Sequence, residues 1–387
     1  MPAPYAIVDT TLREGEQFEH CDFTLDDKIA IARALDGFGV EYIEVTSPAA
    51  SERSLADCRT LVGLGLRSRI VAHVRCNERD IAAALDAGVG AISMVMGGSK
   101  VLREASHGLT IDGIIELAIT VGRAARSLAP GAELRFSTED AFRCAPDDLM
   151  RIYRALHRER LFDRFGLADT TGYATPDQVG AVVGRLRAET ASPIEFHGHN
   201  DIGCAVANAH AALRAGATHI NTTVLGIGER NGITALEGLI ACLYAHDPET
   251  TRQKYRLPRL AELSGLVAAR SGAAIPFNHP IVGATAFSHK AGVHTKAVLN
   301  DPRAYEVIDP ETFGKQRRIV IAHRLTGWNA LRNRAETLGL GLTDEQARRA
   351  TAMVKAEADR GPITDDDVDA ILRAAAAMPA GATRALC

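Results

Sequence analysis

Short apolar runs alternate with longer amphipathic segments along most of the chain. Eight runs rich in apolar and β-branched residues predict strands: Tyr5–Asp9, Tyr42–Thr46, Arg69–His73, Ala91–Val95, Glu133–Ser137, Arg164–Ala168, Ile194–His199 and His219–Val224. Ala-rich stretches between them, such as LDDKIAIARALDGFG, have helical periodicity and several end in glycine. This alternation predicts a (β/α)8 or TIM barrel. An open dinucleotide-binding sheet would normally show GxGxxG after the first strand, where this chain has Thr10–Gln17.

The alternation stops after LEGLIACLYAH, and the Pro-containing stretch IPFNHPIVG follows. We therefore predict a catalytic barrel over residues 1–275, a linker subdomain over 276–317 and a helical C-terminal domain over 318–387. Helices are predicted in TGWNALRNRAETLG, TDEQARRATAMVKAEADRG and TDDDVDAILRAAAA, and the last two begin with a Thr-Asp capping signal.

Composition restricts the function classes. The formal net charge of the 387-residue chain is −4, which favours neither nucleic acid nor an anionic membrane as a partner. The N-terminus lacks a signal-peptide pattern and no run of about 18 apolar residues occurs, so we expect a cytoplasmic protein. The seven cysteines are scattered without a CxxC pair, which argues against a disulfide framework and against a thiolate metal site.

Polar residues cluster at the C-terminal ends of the predicted strands, where barrel enzymes place their reactive groups. In strand order they are Asp9, Arg13, Glu14 and Gln17, then Glu44 and Thr46, His73, Ser93, Arg135 and Ser137, Asp169 and Thr170, and finally Glu195, His197 and His199.

The HGHND segment predicts a metal site. Side chains alternate along a strand, so His197 and His199 point the same way. Two imidazoles and one carboxylate can hold a divalent cation, and we predict Glu14 as the carboxylate, with Asp201 as a second acidic group nearby. Asn231 in LGIGERNGIT is either a carbonyl ligand or a turn residue.

Seven motifs occur in order along the chain: VDTTLREGEQFE, EYIEVTSPAAS, LRFSTEDAFR, GLADTTGYATP, EFHGHND, LGIGERNGIT and FSHKAGVHTKAV. Together they resemble the DRE-TIM metallolyase superfamily. The LRE triplet is similar to homocitrate synthases, where isopropylmalate synthases usually have LRD.

The resemblance implies an acyltransferase that condenses acetyl-CoA with a 2-oxo diacid, here 2-oxoglutarate, to form homocitrate in lysine biosynthesis. It implies Mg²⁺, Mn²⁺ or Zn²⁺ at Glu14, His197 and His199, with Arg13 stabilising the developing alkoxide and Gln17 at the substrate. The catalytic base would be His294, assisted by Tyr305, although His289 in the same motif is an alternative. The resemblance also implies a homodimer in which this C-terminal region reaches the partner's active site.

The distal carboxylate of the substrate would bind His73, Arg135, Ser137 and Thr170, and a structural Arg135–Glu139 ion pair is the alternative for Arg135. Ser93 stands where many homocitrate synthases have Asp, which leaves oxaloacetate and phosphonopyruvate open as substrates. Isopropylmalate or citramalate synthesis and a CoA-ester lyase reaction fit less well. A non-enzymatic binding module would be expected to lose the motif residues, and the chain keeps them.

Overall fold

The computed structural model describes residues 5–378. Eight parallel strands are hydrogen-bonded in chain order, and the eighth pairs with the first to close a barrel. The strands are Ala6–Asp9 (β1), Tyr42–Val45 (β2), Arg69–Arg75 (β3), Ala91–Gly97 (β4), Glu133–Glu139 (β5), Arg164–Asp169 (β6), Ile194–Gly198 (β7) and His219–Thr222 (β8). The predicted (β/α)8 barrel is confirmed.

Helices connect the strands and continue beyond β8. They are Leu25–Phe38 (α1), Glu52–Val62 (α2), Glu78–Asp86 (α3), Lys100–Ser106 (α4), Ile111–Leu128 (α5), Pro146–Glu159 (α6), Pro176–Thr190 (α7), Ala205–Arg214 (α8), Leu236–His246 (α9), Pro248–Lys254 (α10) and Leu260–Ser271 (α11). None of the helices within residues 5–378 combines the length and apolar character needed to cross a membrane.

Local sequence explains where the first helix begins and ends. The Thr24 hydroxyl accepts a hydrogen bond from the Asp27 N–H, while the Asp27 carboxylate accepts one from the Thr24 N–H, which forms a capping box. Gly39 ends α1 with a φ of 113°, a left-handed conformation that glycine adopts without steric cost. The predicted LDDKIAIARALDGFG helix therefore has a capping box at its start and a terminating glycine at its end.

Strand alternation separates the apolar core from a polar barrel interior. In β5, Leu134 and Phe136 are fully buried on one face of the strand, and the alternating residues Arg135 and Ser137 point to the opposite face. The register brings Ser93 of β4 opposite Arg135. Polar groups from neighbouring strands therefore meet inside the barrel.

The chain divides into two compact units after Gly283, beyond the predicted boundary at residue 275. The intervening segment belongs to the barrel unit because His279 Nε2 lies 3.3 Å from the Glu237 carboxylate of α9. Glu237 is completely buried, so this contact ties the segment to the barrel helices.

The second unit begins at residue 284 and contains four helices and a two-stranded parallel sheet within its described part. Its elements are Ser288–His289 (β9), Gly292–Asn300 (α12), Arg318–Ile319 (β10), Trp328–Thr337 (α13), Asp344–Arg360 (α14) and Asp365–Ala377 (α15). Because β9 pairs with β10, the predicted linker subdomain and helical domain are joined in one unit. The sequence analysis missed this sheet.

The C-terminal helices form as the sequence predicts. Thr343 and Thr364 make capping boxes at the starts of α14 and α15. Leu331, Val354 and Leu372 are fully buried in the core of this unit. A small helical core therefore stabilises the unit by apolar burial.

Candidate active site

Glu14, His197 and His199 converge at the mouth of the barrel. Glu14 follows β1 and precedes a 3₁₀ turn at Gly15–Gln17, while His197 lies in β7 and His199 directly follows that strand. The two Nε2 atoms are 3.3 Å apart, and they lie 4.0 Å (His197) and 3.9 Å (His199) from the nearest Glu14 carboxylate oxygens. All three side chains are buried, at 2%, 6% and 5% exposure respectively.

The donor set fits a divalent metal. Two imidazole nitrogens and a carboxylate oxygen within 4.8 Å of one another match the ligand types that transition metals prefer. Burial, together with neighbouring His199 and Arg13, holds the pKa of His197 well below its usual value, and burial also lowers the pKa of His199. Both rings are therefore neutral, which is the form that binds a metal.

Asp201 does not join the three predicted ligands. Its carboxylate accepts two hydrogen bonds of 2.9 Å from Arg230, and the Asn231 amide also faces Asp201 at 3.4 Å. Arg230 further donates to the Thr170 carbonyl, so it links the loops after β6, β7 and β8. Asp201, the acidic residue of the HGHND motif, therefore holds the loops together, and the Asn231 side chain is hydrogen-bonded to it.

Arg13 lies between Glu14 and a second carboxylate, Glu44 of β2. Its guanidinium forms an ion pair with Glu14 and approaches Glu44 Oε1 to 2.8 Å. Burial alone would raise the pKa of Glu44, but Arg13, His73 and Arg135 outweigh this effect and hold it well below its ordinary value. Arg13 is consequently fixed as a cation beside the proposed metal ligands.

A cavity of about 150 Å³ connects this cluster with the predicted distal pocket. Its walls include the three proposed metal ligands together with Arg13, Gln17, His73, Arg135, Ser137 and Thr170. The structure therefore brings together nine of the ten barrel residues predicted to act at the site. Val95, Glu139 and Glu229 also line it, and the sequence analysis assigned them no role in binding.

Arg135 points into the cavity because β6 leaves room for it. A Cβ atom on Gly166 would lie 2.5 Å from Arg135 Nη2 and 2.6 Å from Ser137 Oγ, so a larger residue there would displace both. The guanidinium pairs with Glu195 at 3.0 Å rather than with Glu139, so the Arg135–Glu139 alternative is wrong for this structure.

Ser93 differs from its predicted position in the pocket. It is fully buried and is absent from the cavity wall; its hydroxyl accepts a hydrogen bond from Arg135 Nη1. Because the contact is with the guanidinium, Ser93 can affect a substrate through the placement of Arg135.

A chain of alternating charges extends from the cavity through the barrel interior. The nitrogen–oxygen distances are 2.8 Å for Arg13–Glu44, 4.0 Å for Glu44–Arg135, 3.0 Å for Arg135–Glu195, 2.9 Å for Glu195–Arg164 and 2.6 Å for Arg164–Glu133. Strand periodicity indicates that Glu44 and Glu195 face inward, but it did not identify their partners. Arg164 and Glu133, at the starts of their strands, were missed.

Comparison with known proteins identifies the family of this chain. The HMGL-like family model matches residues 5–267, and the homocitrate synthase post-HMGL domain-like model matches residues 281–362. The mitochondrial homocitrate synthase of Penicillium rubens is 50% identical over 370 residues, which cover 96% of this chain and 77% of that protein. The chain belongs to the homocitrate synthase family.

Other relatives agree with this homocitrate synthase assignment. The cytosolic homocitrate synthase isozyme of Saccharomyces cerevisiae is 46% identical over 369 residues, covering 95% of this chain and 86% of that protein. The crystal structure of the Bacillus subtilis HMG-CoA lyase superimposes with a TM-score of 0.63 at 24% identity, over 71% of this chain and 97% of that one. That likeness supports the barrel fold.

The second unit of this homocitrate synthase family member carries the predicted base. His294 on α12 and Tyr305 are both exposed, and their ring centroids lie 4.3 Å apart. His289, the alternative, is instead held by the Glu306 carboxylate at 2.8 Å, which Arg317 also binds. His289 thus has a structural partner, whereas His294 lies at the surface of its unit beside Tyr305.

Proposed function

We propose that the chain is a homocitrate synthase, which condenses acetyl-CoA with 2-oxoglutarate. The observation that carries the proposal is a single small cavity with Arg13 and the Glu14–His197–His199 cluster at one part of its wall and the buried cation Arg135 at another. A 2-oxo diacid has matching groups, a 2-oxo carboxylate and a second carboxylate. The names of the relatives agree with this chemistry.

Glu14, His197 and His199 would hold a divalent metal. When bound, the ion would polarise the 2-oxo group as a Lewis acid. Mg²⁺ and Mn²⁺ suit an oxygen-rich substrate, while Zn²⁺ suits the imidazoles. Metal analysis of the purified protein, followed by removal with a chelator and readdition of each ion, will identify the ion that restores activity. Full activity after verified metal removal would contradict the metal assignment.

Arg13 and Arg135 have different tasks in this proposal. As the acetyl carbon attacks C2 of the substrate, negative charge develops on the former keto oxygen, and Arg13 stabilises it through its guanidinium N–H groups. Arg135, with Ser137, His73 and Thr170, binds the distal carboxylate. Gln17 contacts the substrate beside Arg13. Hydrolysis of the resulting thioester releases CoA, so the thiol reports turnover.

The acetyl methyl group must lose a proton before it can attack, and we propose His294 as the base with Tyr305 assisting. Histidine suits this task because its ordinary pKa lies near working pH. The proposal rests on the AGVHTKAV resemblance, on the exposure of His294 and on the engagement of His289 with Glu306.

We further propose a homodimer in which His294 and Tyr305 complete the partner's active site, as in the resembling enzymes. The test mixes two inactive variants, Arg13→Ala and His294→Ala, under conditions that allow subunit exchange. A mixed dimer would contain one intact site and should recover a fraction of wild-type turnover. Verified heterodimers that remain inactive would show that the base serves its own chain.

Substrate choice tests the diacid pocket. We expect 2-oxoglutarate to give the highest kcat/KM in a panel assayed by thiol release, with oxaloacetate and phosphonopyruvate behind it. Pyruvate and 2-oxoisovalerate should be poor because they leave buried donors unpaired, which costs roughly a thousandfold or more in a site built to bind such a group. If 2-oxoisovalerate proved best, the pocket would be an isopropylmalate synthase pocket.

We also propose that the chain acts in lysine biosynthesis and that it lies in the cytoplasm. One relative is named as a cytosolic isozyme, while the Penicillium relative is named as mitochondrial. Fractionation of the native cell, with immunodetection of the protein, decides between a cytoplasmic and a compartmental location.

A further inference from the structure

A second group of metal-binding side chains lies on the outer helical layer of the barrel. His210 is on α8, and Cys242 and His246 are on α9. Each offers a ligand atom, and the three atoms lie within 4.8 Å of one another. This cluster, here the His-Cys-His cluster, shares no residue with the proposed active site.

Helix geometry explains the juxtaposition. Cys242 and His246 are four residues apart, so they project from the same face of α9. The rings of His210 and His246 stack with their centroids 4.9 Å apart at an angle of 13°, which brings α8 and α9 side chains together at this point. His246 is exposed and is the last residue of α9, so its ring can rotate out of the stack toward a shared ion.

The ligand chemistry indicates which ion would fit. The cluster offers one sulfur and two imidazole nitrogens, and within the described residues it includes no carboxylate. Thiolate and imidazole ligands prefer Zn²⁺ or another soft transition ion over Mg²⁺. The His-Cys-His cluster therefore differs in ligand chemistry from the proposed metal ligands in the barrel, which are one carboxylate and two imidazoles without sulfur.

Charge also bears on the cluster. Burial, with smaller effects from His246 and Arg214, lowers the pKa of His210, so that its ring is neutral and can act as a ligand. Burial raises the pKa of the Cys242 thiol, which opposes thiolate formation until a metal displaces the proton. Arg214 lies one turn after His210, and its positive charge would repel a bound metal ion.

We propose that His210, Cys242 and His246 form a second, non-catalytic site for a thiophilic transition ion, with Zn²⁺ as the preferred ion and water in the fourth position. Binding forms two metal–nitrogen bonds and one metal–sulfur bond, and the thiol proton passes to solvent. The site joins α8 to α9, the two helices that follow the strands β7 and β8. The proposal departs from the sequence-based expectation, in which the scattered cysteines argue against a thiolate metal site.

Cobalt provides a specific readout because Co²⁺ replaces Zn²⁺ and a Co²⁺–thiolate bond gives a near-ultraviolet charge-transfer band. The full-length protein is stripped of metal and titrated with Co²⁺. We expect the thiolate band in wild type to reach the intensity of one thiolate-bound Co²⁺ per chain and to be lost in Cys242→Ser, while turnover in the presence of the activating metal is unchanged. His210→Ala and His246→Ala should weaken the band without changing turnover.

The matched control is His197→Ala, which alters the proposed catalytic ligands. It should lose turnover and keep the thiolate band, so failure of the proposed function and failure of this proposal are separable. Retention of the band in Cys242→Ser, or its loss in His197→Ala, would overturn the second site. If circular dichroism shows that Cys242→Ser does not fold, the test uses His246→Ala, in which the substituted residue is exposed. A thiolate band as strong as in wild type at the same Co²⁺ concentration would then reject the site.

Discussion

Replacing Arg135 by Gln should weaken the enzyme's preference for 2-oxo acids that carry a distal carboxylate. The Arg135 side chain is only 4% exposed and lines the cavity beside Ser137, and its other partners are Glu195, Glu44 and Ser93. The glutamine side chain would keep a polar group there but lose the positive charge. A charge-assisted hydrogen bond contributes about 1.5–3 kcal/mol. At roughly 1.4 kcal/mol per tenfold, kcat/KM for 2-oxoglutarate should fall about 10- to 150-fold.

The result must be specific for substrates with a distal carboxylate. Pyruvate has no second carboxylate, so its already low kcat/KM should change by no more than about threefold in Arg135→Gln, within the range of an incidental packing effect. The assay follows free thiol release from acetyl-CoA with both acids at matched metal concentration. The ratio of the two kcat/KM values is the measured quantity.

Arg164→Gln is the matched control, because Arg164 is equally buried and binds the same Glu195 carboxylate at 2.9 Å, yet it does not line the cavity. Both substitutions remove one cation from the interior charge chain and should destabilise the fold by about 3 kcal/mol. Only Arg135→Gln should lower the preference for 2-oxoglutarate over pyruvate. Equal losses on both acids, or an equal change in Arg164→Gln, would refute the distal-carboxylate role.

Three further results are expected. Glu14→Gln should lower metal content and turnover together, measured by elemental analysis and thiol release, because a neutral amide binds a cation less well than a carboxylate does. Glu195→Gln should lower the free energy of unfolding by about 3 kcal/mol in urea, since two buried arginines lose a shared partner; an unchanged midpoint would contradict this. Burial raises the pKa of Asp9 to about 7 from 3.8. The folded chain therefore retains a proton that the unfolded chain releases, and stability falls as pH rises from about 4 to about 7. Asp9→Asn cannot lose a proton at this position, so its free energy of unfolding relative to wild type, measured in urea, should be higher at about pH 8 than at about pH 5.

Local sequence accounted for the elements and for most of the cavity wall. Strand and helix periods predicted the closed barrel, and Thr-Asp capping signals predicted the starts of α14 and α15. The same period-2 argument placed His197 and His199 on one face, where their Nε2 atoms are 3.3 Å apart. The positions of the strands and helices, the capping boxes and the shared face of the two histidines follow from neighbours within a few residues, so the sequence alone determined them.

Contacts between distant segments needed the tertiary structure. Strand periodicity shows that Arg135 faces inward, but only barrel closure selects Glu195 over Glu139 as its partner. The sequence is equally consistent with Ser93 as a pocket residue and as a buried support for Arg135. Its complete burial and the hydrogen bond from Arg135 show the second role.

Contacts between distant segments also set the domain boundaries and brought together the His-Cys-His cluster. The two-residue strands β9 and β10 carry too little pattern to predict, yet their pairing joins two segments that the sequence separates. His210 and Cys242 are likewise 32 positions apart in the sequence, and their side chains meet only because α8 and α9 are adjacent in the helical layer. Residue periodicity determined which way each side chain points along its own element, whereas closure of the barrel and packing of its helices decided which side chains meet.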